Sequence, residues 1–534
     1  MDWRLAMRAL LLVLIGGAIC YNYTQSVTVS DVFWRTLGQL PIFVLIACVY
    51  EVARRYFVQR WSWGAAVFYA FFAFYAIVTI GETYLCLFVK SGYTPSILTF
   101  LFQTNVSESQ GFVHAYLTNK MFLLYVVSLL LITAVVWCVI FLLPGSMLPL
   151  SHMRSLIIAS LLLATMFPVY PCTSVSRLAY STYHYCRTIL AENDICSDTK
   201  IKSVNNEPHV IVLIIGEAFS KHHSSLYGYR KQTNPCLEAL VSSGNLYLFK
   251  DVAAPYNKTH MMLKELLSVH DMDAQKPWNS YPLWPQIFKD AGYYVSFVSN
   301  QVPSSDNSWY ETYFFQKKEV EQRCFDYRNN YAYRFDEGIL NELQTISGLG
   351  YHANELAILH LGGQHIYATS KFPHERFTRF HPSDYLPHSI SIDSRQAQEL
   401  ADYDNATLFN DYVVSRIMKW YEDREAIVVY LSDHGEEVHD YRQFLGRSHA
   451  VEPTKEEIKY QYEVPFMIYL SDAYKQHHPD VVRQIKEAQT VKLMSDDLSF
   501  MLLGLSGIRT EWYDPSKDVL SVDYLQPVER RFGY

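Results

Sequence analysis

Two apolar runs in this 534-residue chain end in acids. Val210-Ile211-Val212-Leu213-Ile214-Ile215 leads into Gly216-Glu217, and Ala426-Ile427-Val428-Val429-Tyr430-Leu431 leads into Ser432-Asp433-His434-Gly435-Glu436. Runs of this length, rich in β-branched residues, read as strands buried on both faces of a parallel sheet. Ligands of such sheets bind beyond the carboxyl ends of the strands. The two runs therefore bring Glu217, Asp433 and His434 to one edge. Two carboxylates and an imidazole at one point suit a divalent cation of the zinc or manganese type.

Further short apolar runs follow at Asn245–Phe249, Tyr293–Val298, Leu356–Leu361 and Val464–Leu470, with helical patterns between them such as Ala406–Tyr421. Strands alternating with helices predict an α/β sandwich with a mainly parallel sheet, beginning near Pro208. Residues 171–207 are polar, cysteine-bearing and non-periodic, which suggests a linker or bridging helices.

The first 170 residues have a different character. Apolar stretches cover roughly 6–23, 38–53, 63–89, 121–143 and 155–170, each close to the ~20 residues that cross a bilayer. No small-residue cleavage site follows the first, so it is expected to be retained. Arg4, Arg8, Arg54, Arg55 and Arg60 place the N-terminus in the cytoplasm by the positive-inside rule. Five spans then put residue 171 onward outside, in the periplasm of a Gram-negative inner membrane. Trp3, Trp34, Trp61 and Trp63 fit interfacial belts. The division expected is 1–170 membrane domain, 171–207 bridge and 208–534 catalytic domain.

Charge excludes one class of partner. Of 45 basic and 53 acidic residues, nine and five lie in the first 170, leaving 36 and 48 beyond. A domain with about −12 formal charge lacks the basic footprint of a nucleic-acid binder. Cys172, Cys186, Cys196, Cys236 and Cys324 fall on the outer side, where disulfides persist. Cys186–Cys196 would close a short loop, although spacing alone does not fix connectivity.

Thr259 follows Ala254-Pro255-Tyr256-Asn257-Lys258 and precedes an amphipathic pattern with Met262, Leu263, Leu266 and Leu267 on one face. It reads as the N-cap of that helix. The alternative is a nucleophile, because a metal or base can activate a threonine hydroxyl. His365 comes after Leu361-Gly362-Gly363-Gln364, on the edge of the metal cluster, and His449 after Gly446-Arg447-Ser448. Either could bind phosphate oxygens or move a proton. His222, His223, His360 and His439 carry no signal beyond that of any loop histidine.

The string Gly216-Glu217-Ala218-Phe219-Ser220-Lys221-His222-His223-Ser224-Ser225-Leu226-Tyr227-Gly228-Tyr229, continuing to Thr233-Asn234-Pro235, resembles the opening motif of bacterial phosphoethanolamine transferases, members of the alkaline phosphatase and sulfatase superfamily. Ser432-Asp433-His434-Gly435-Glu436-Glu437 resembles their second metal motif, and Tyr403-Asp404-Asn405 with Asp411-Tyr412 the segment before it. Gln103-Thr104-Asn105-Val106-Ser107-Glu108 resembles their periplasmic membrane loop. The resemblance implies a five-helix all-α transmembrane bundle followed by an α/β sulfatase/alkaline-phosphatase-like domain. It implies Zn2+ (Mn2+ or Mg2+ less favoured) held by Glu217, Thr259, Asp433 and His434, with Thr259 as nucleophile. His365 and His449 would serve the phosphate, and Asn105 and Glu108 the ethanolamine amine. The donor would be phosphatidylethanolamine, the acceptor an envelope glycolipid (lipid A or a core sugar), and the enzyme a monomer.

Two departures stand out. Ala218 takes the place of the family's usual Ser or Thr, and the common Cys-Gly-Thr-Ser-Thr context does not surround Thr259. The second places the chain nearer the branch that acts on core sugars or other envelope acceptors. Competing readings are a glycerol-phosphate transferase, another membrane-anchored phosphodiesterase, or a non-catalytic envelope scaffold with a vestigial site. A sulfatase activity would need Cys-x-Pro-x-Arg or Ser-x-Pro-x-Arg, which is absent from the sequence.

Overall fold

The computed structural model describes residues 13–22, 62–86, 92–95, 173–191, 194–204, 210–302, 314–365, 367–386, 389–448 and 453–533, together with 35, 36, 39, 42, 45, 46, 97 and 98. The chain divides into two compact units, Met1–Leu190 and Ala191–Tyr534.

In the first unit the third expected span coincides with the helix Ser62–Tyr84. Part of the first, residues 13–22, is also helical. Most of the second span, and all of the fourth and fifth, lie outside the described residues, as does the loop with Asn105 and Glu108. Among the described residues, no helix is long and apolar enough to cross a membrane. The polar bridge segment contains a helix, Ser174–Ala191. Arg177 on it forms a buried ion pair with Glu82, Nε donating to Oε1 at 2.7 Å. The guanidinium also lies 3.8 Å over the Tyr21 ring, so the pair has partners that offset part of its desolvation cost.

The second unit is built on seven strands: β1 Val210–Gly216, β2 Leu246–Phe249, β3 Tyr294–Ser299, β4 Tyr327–Arg328, β5 Glu355–His360, β6 Ala426–Ser432 and β7 Phe466–Leu470. Their order across the sheet is β2-β7-β6-β1-β5-β3-β4. The pairs β6–β1, β1–β5, β5–β3 and β3–β4 are parallel. β7 runs antiparallel to both of its neighbours, so the sheet is mixed, with a parallel centre and one antiparallel flank. Every apolar run singled out in the sequence becomes one of these strands. The seventh, β4, is two residues long and has no pattern to read.

β1 is wholly buried. Ile211, Leu213 and Ile215 point into one hydrophobic cluster, and Val210, Val212 and Ile214 into the other. The two-residue period of a strand thus fills cores on both faces. The long helix Ser394–Trp420 covers one face and starts twelve residues before the expected Ala406. Its start is set by a capping box in which Asp393 accepts from the Gln396 amide and Gln396 reaches back to the Asp393 amide.

The expected Cys186–Cys196 disulfide is not formed. Both are free thiols, Cys186 exposed on its helix and Cys196 held by its own backbone amide to Asn279 O at 2.9 Å.

Candidate active site

β1 and β6 pair in register with Gly216 opposite Ser432. The residues that follow, Glu217 and Asp433, therefore emerge side by side. Asp433 N donates to Gly216 O at 3.0 Å, which locks the two strand ends together. A Cβ at Gly216 would meet the Tyr430 hydroxyl at 2.3 Å, so a larger residue there would have to displace that buried ring. The chain then turns sharply through Ala218, whose φ of +56° is left-handed. Such a conformation costs an alanine ~1–2 kcal/mol. It is held by the Tyr403 hydroxyl, which donates to Ala218 O at 2.6 Å and accepts from Ser220 N at 2.8 Å.

Thr259 opens the helix Thr259–Leu267, but it is not the cap. Lys258 occupies that position, and no side chain caps the helix. The Thr259 hydroxyl instead faces the metal cluster, with Oγ1 at 3.0 and 3.2 Å from the Glu217 oxygens and 3.2 Å from His434 Nε2. The cap reading fails because a partner 42 residues away in sequence competes for the hydroxyl. His434 Nδ1 lies 2.8 Å from Gly435 O. That contact assigns the proton to Nδ1 and leaves the Nε2 lone pair facing the cluster. Nε2 is 3.3 Å from Glu217 Oε1 and 3.2 Å from Asp433 Oδ2.

These atoms fit a cation. One ligand atom each from Glu217, Asp433 and His434 lies within 4.8 Å of the others, and all three side chains are buried. Asp433 Oδ1 accepts from Ala218 N at 3.0 Å and His434 N at 2.7 Å. Oδ2 is buried with no hydrogen-bond donor. An orphaned carboxylate oxygen beside an imidazole lone pair is costly unless an ion fills the gap. Burial, and then the Glu217 charge, push the Asp433 carboxyl well above its ordinary range. Burial acts on Glu217 in the same direction, yet His434, His365 and Arg447 hold its carboxyl well below 4.5. A divalent cation removes the repulsion that separates the two.

Groups around the cluster set its shape. Gln301, two residues past β3, donates from Nε2 to Glu217 Oε2 at 2.9 Å and to Leu361 O at 2.7 Å. The same amide lies 3.0 Å from His360 Nε2, and His360 Nδ1 lies 3.0 Å from Ser299 Oγ. Burial lowers the His360 pKa to about 4, so the ring is neutral. His365 is also buried, and burial lowers its pKa to about 3. Its neighbour Gln364 ties the turn to the site, N donating to Glu217 O at 3.0 Å.

Arg447 Nη1 lies against His434 Nε2, the atom whose lone pair a bound cation would take. It also lies 3.5 Å from Asn257 O, with Nε 3.3 Å from Glu436 Oε2. Burial, then the Arg447 charge, lower the Lys258 pKa to about 8. Lys258 is the chain neighbour of Thr259, and Arg447 contacts His434, which the Thr259 hydroxyl also meets.

The motif around residue 404 does structural work. Asp404 accepts from Tyr229 at 2.8 Å and lies 2.8 Å from His223 Nδ1. Asp411 accepts from the amides of Cys236 and Leu237 at 2.8 and 2.9 Å, satisfying the start of the helix Pro235–Ser242. Together they pin the loop that follows Glu217.

The structure thus brings Glu217, Thr259, Asp433 and His434 to one point, with His365 buried in the turn beside them. Asn105, Glu108 and His449 lie outside the described residues. Sequence reasoning passed over Gln301, Arg447, Lys258 and the holding role of Tyr403. Gln301 had a usable signal, since it lies just past an apolar strand on the same sheet edge. Arg447 had none of its own.

Residues 209–508 match the family described as Sulfatase. The chain belongs to the sulfatase family. Within this family, phosphoethanolamine transferase EptC of Escherichia coli (strain K12) is 28% identical over 329 residues, 60% of this chain and 54% of that protein. This chain thus spans about half the length of the curated relatives it matches. The zinc complex of the C-terminal periplasmic domain of E. coli EptC shares the fold, with a TM-score of 0.53 and 23% identity over 62% of this chain and 92% of that one. The integral membrane protein lipooligosaccharide phosphoethanolamine transferase A from Neisseria meningitidis matches in fold over 97% of this chain and 98% of its own, with a TM-score of 0.67 and 16% identity.

Proposed function

We propose that this sulfatase-family protein transfers phosphoethanolamine from phosphatidylethanolamine to an envelope glycolipid through a phosphothreonine intermediate on Thr259. The observation that carries the reading is the Thr259 hydroxyl, 3.0 to 3.2 Å from Glu217 and His434 inside a buried metal-competent cluster. A cap would leave it elsewhere. The relatives named phosphoethanolamine transferase support the transferred group, and the Neisseria protein's name supports a glycolipid acceptor.

Glu217, Asp433, His434 and Thr259 are assigned as the ligand set, with zinc favoured by the EptC domain complex. Bound there, zinc supplies positive charge that lowers the pKa of the threonine hydroxyl and offsets charge on the phosphoryl oxygens. Glu217 Oε2, 3.0 Å away, accepts the Thr259 proton. The Thr259 Oγ1–phosphorus bond forms as the phosphorus–oxygen bond to diacylglycerol breaks, and the leaving alkoxide takes up a proton, assigned to His449. Arg447 and Lys258 attract the non-bridging oxygens, Arg447 with a planar fork suited to phosphate. His365, neutral in its buried turn, contributes a hydrogen bond rather than a proton. The acceptor oxygen then attacks phosphorus as the phosphorus–Oγ1 bond of Thr259 breaks; the acceptor's proton passes to His449, which restores that acid, and Thr259 takes back the proton held by Glu217.

The likeness in fold over nearly the whole chain to a protein named as integral to the membrane supports a membrane-anchored arrangement; the division assigned is a five-span domain at 1–170, a bridge at 171–207 and, from 208 to 534, a catalytic domain on the periplasmic side of the inner membrane. In this reading Asn105 and Glu108 meet the donor's ethanolamine amine, and one copy of the chain suffices for the reaction. Tethering beside the bilayer spares the donor an extraction that costs ~0.8 kcal/mol per CH₂.

The test is Thr259→Ala in the full chain, followed by intact-lipid mass spectrometry of envelope glycolipids. Transfer should fall by about 10⁴–10⁶-fold, and the phosphoethanolamine adduct on the protein should vanish. A variant that still acquires the adduct refutes the assignment.

A further inference from the structure

The stretch that delivers Thr259 is not part of the seven-stranded sheet. Asp251–Ala253 pairs with Lys492–Met494, in parallel, as a two-stranded ribbon three residues long, and on its other side meets the chain by an isolated bridge from Ala253 to Glu463 and a bond from Val464 N to Val252 O at 3.2 Å. Such a ribbon is marginal on its own. Residues 254–258 then run without regular structure into the helix Thr259–Leu267. Oγ1 of Thr259 has to hold its place within 3.2 Å of two side chains that stand beyond the ends of other strands.

One flank of this lead-in is fixed from within the site. Ala254 N donates to Tyr462 O at 2.8 Å. Asn257 Nδ2 donates to Gln461 Oε1 and Ser448 O, both at 3.0 Å. The other flank is held by residues more than 270 positions away. Arg530 Nη2 donates to Asp251 O at 3.0 Å and to Asp251 Oδ1 at 2.5 Å. Gly533 N donates to Pro255 O at 2.9 Å. The Phe532 ring packs edge-on against Tyr462, centroids 5.0 Å apart, and Tyr462 is the residue whose carbonyl receives Ala254. Gly533 lies so close to Tyr256 that a Cβ there would fall 1.9 Å from the ring.

We infer that Arg530–Gly533 is a strap that positions Thr259. It rests on the reading of Thr259 as the nucleophile. The segment touches neither the metal cluster nor the hydroxyl, so its residues are positioning residues. Its contacts converge on the backbone carbonyls of residues 251 and 255 and on the rings of Tyr256 and Tyr462. These clamp the lead-in at both ends just before the helix begins. A strap that only added stability would change how much protein is folded, not how fast each folded molecule turns over.

The experiment uses the full chain with saturating zinc and a chromogenic aryl phosphodiester as substrate. Three variants are compared with the parent: Arg530→Ala combined with Phe532→Ala, Gly533→Ala, and Arg530→Lys. The first two should lose about tenfold or more in kcat per folded molecule, since misplacement by 1 Å costs on the order of 10²-fold. KM should hold, and hydrogen exchange at the amides of 254–259 should speed up. Arg530→Lys keeps a cation against Asp251 and should recover most of the loss. Should the double variant not fold, Phe532→Leu, which keeps an apolar contact without the ring, is read in its place. Parental kcat per folded molecule, with or without a lower Tm, overturns the strap. Thr259→Ala in the same assay separates the two ideas. If it remains active, the nucleophile reading fails; if it is dead while the strap variants match the parent, the strap alone fails.

Discussion

Replacing Gly363 with alanine tests the site through its tightest backbone contact. Gly363 sits in the turn after β5 with φ +47°, its amide donating to Asp336 Oδ2 at 2.9 Å. A Cβ there would fall 2.4 Å from Glu217 O, 2.8 Å from Glu217 N and 2.9 Å from Glu217 Cβ. Ordinary contact begins at 3.4 Å, so one of the two backbones must yield by 1.0 Å. A left-handed alanine costs ~1–2 kcal/mol, and overpacking a well-filled region ~1–3 kcal/mol. Together the substitution should destabilise the fold by about 2–5 kcal/mol. The strained neighbour is the proposed metal ligand itself, and metal–ligand distances tolerate only about ±0.2 Å. Zinc affinity should therefore fall, and turnover should drop on the order of 10²-fold. Chelator competition reads the affinity, and a thermal melt of the same preparation reads the stability. Gly362→Ala is the control, because its Cβ comes no closer than 3.3 Å to Asp336 Oδ1 and its φ is not left-handed. If Gly363→Ala binds zinc and melts like the parent, the contact does not position Glu217 and the argument for the site's geometry is wrong.

Tyr403→Phe keeps the ring but strips the partner from two buried backbone groups, Ala218 O and Ser220 N. Each orphan costs ~1–3 kcal/mol, so Tm should fall clearly; an unchanged Tm would show that the hydroxyl does not hold the left-handed turn. His223 supplies a pH test away from the metal. Burial would lower its pKa, but Asp440 and Asp404 raise it from 6.5 to about 10. A raised folded pKa gives stability that is complete below 6.5 and drains away as pH climbs through about 10. The melting temperature of the parent should decline between those limits, and His223→Gln should flatten the slope. Identical slopes in parent and variant would contradict the pairing.

Much of this was legible in the chain because it is local. A β-branched run that stops at glycine and an acid states both a buried strand and what stands at its end, since burial and the two-residue period act over a few neighbouring positions. Glu217, Asp433 and His434 could be placed on one edge for that reason. The short partner strand β4 and the early start of the helix Ser394–Trp420 were less visible, because one is too short to show a period and the other begins in a polar stretch.

What the linear order could not decide was which way the ambiguous groups turned. Thr259 looked like a cap from its neighbours and became a cluster member through Glu217 and through His434, 175 residues on. Gln301 and Arg447 acquire meaning only from the strand order that sets their tips beside β1 and β6. Tyr403 gains its role from a left-handed Ala218 that no local pattern announces, and Arg530–Gly533 from a meeting with residues 251–256. The amino-acid order determined the strands and the acids at their ends, because hydrophobic periodicity is a near-neighbour property. The tertiary structure decided what those acids face, because hydrogen bonds and close approaches between distant segments exist only once the sheet has been assembled.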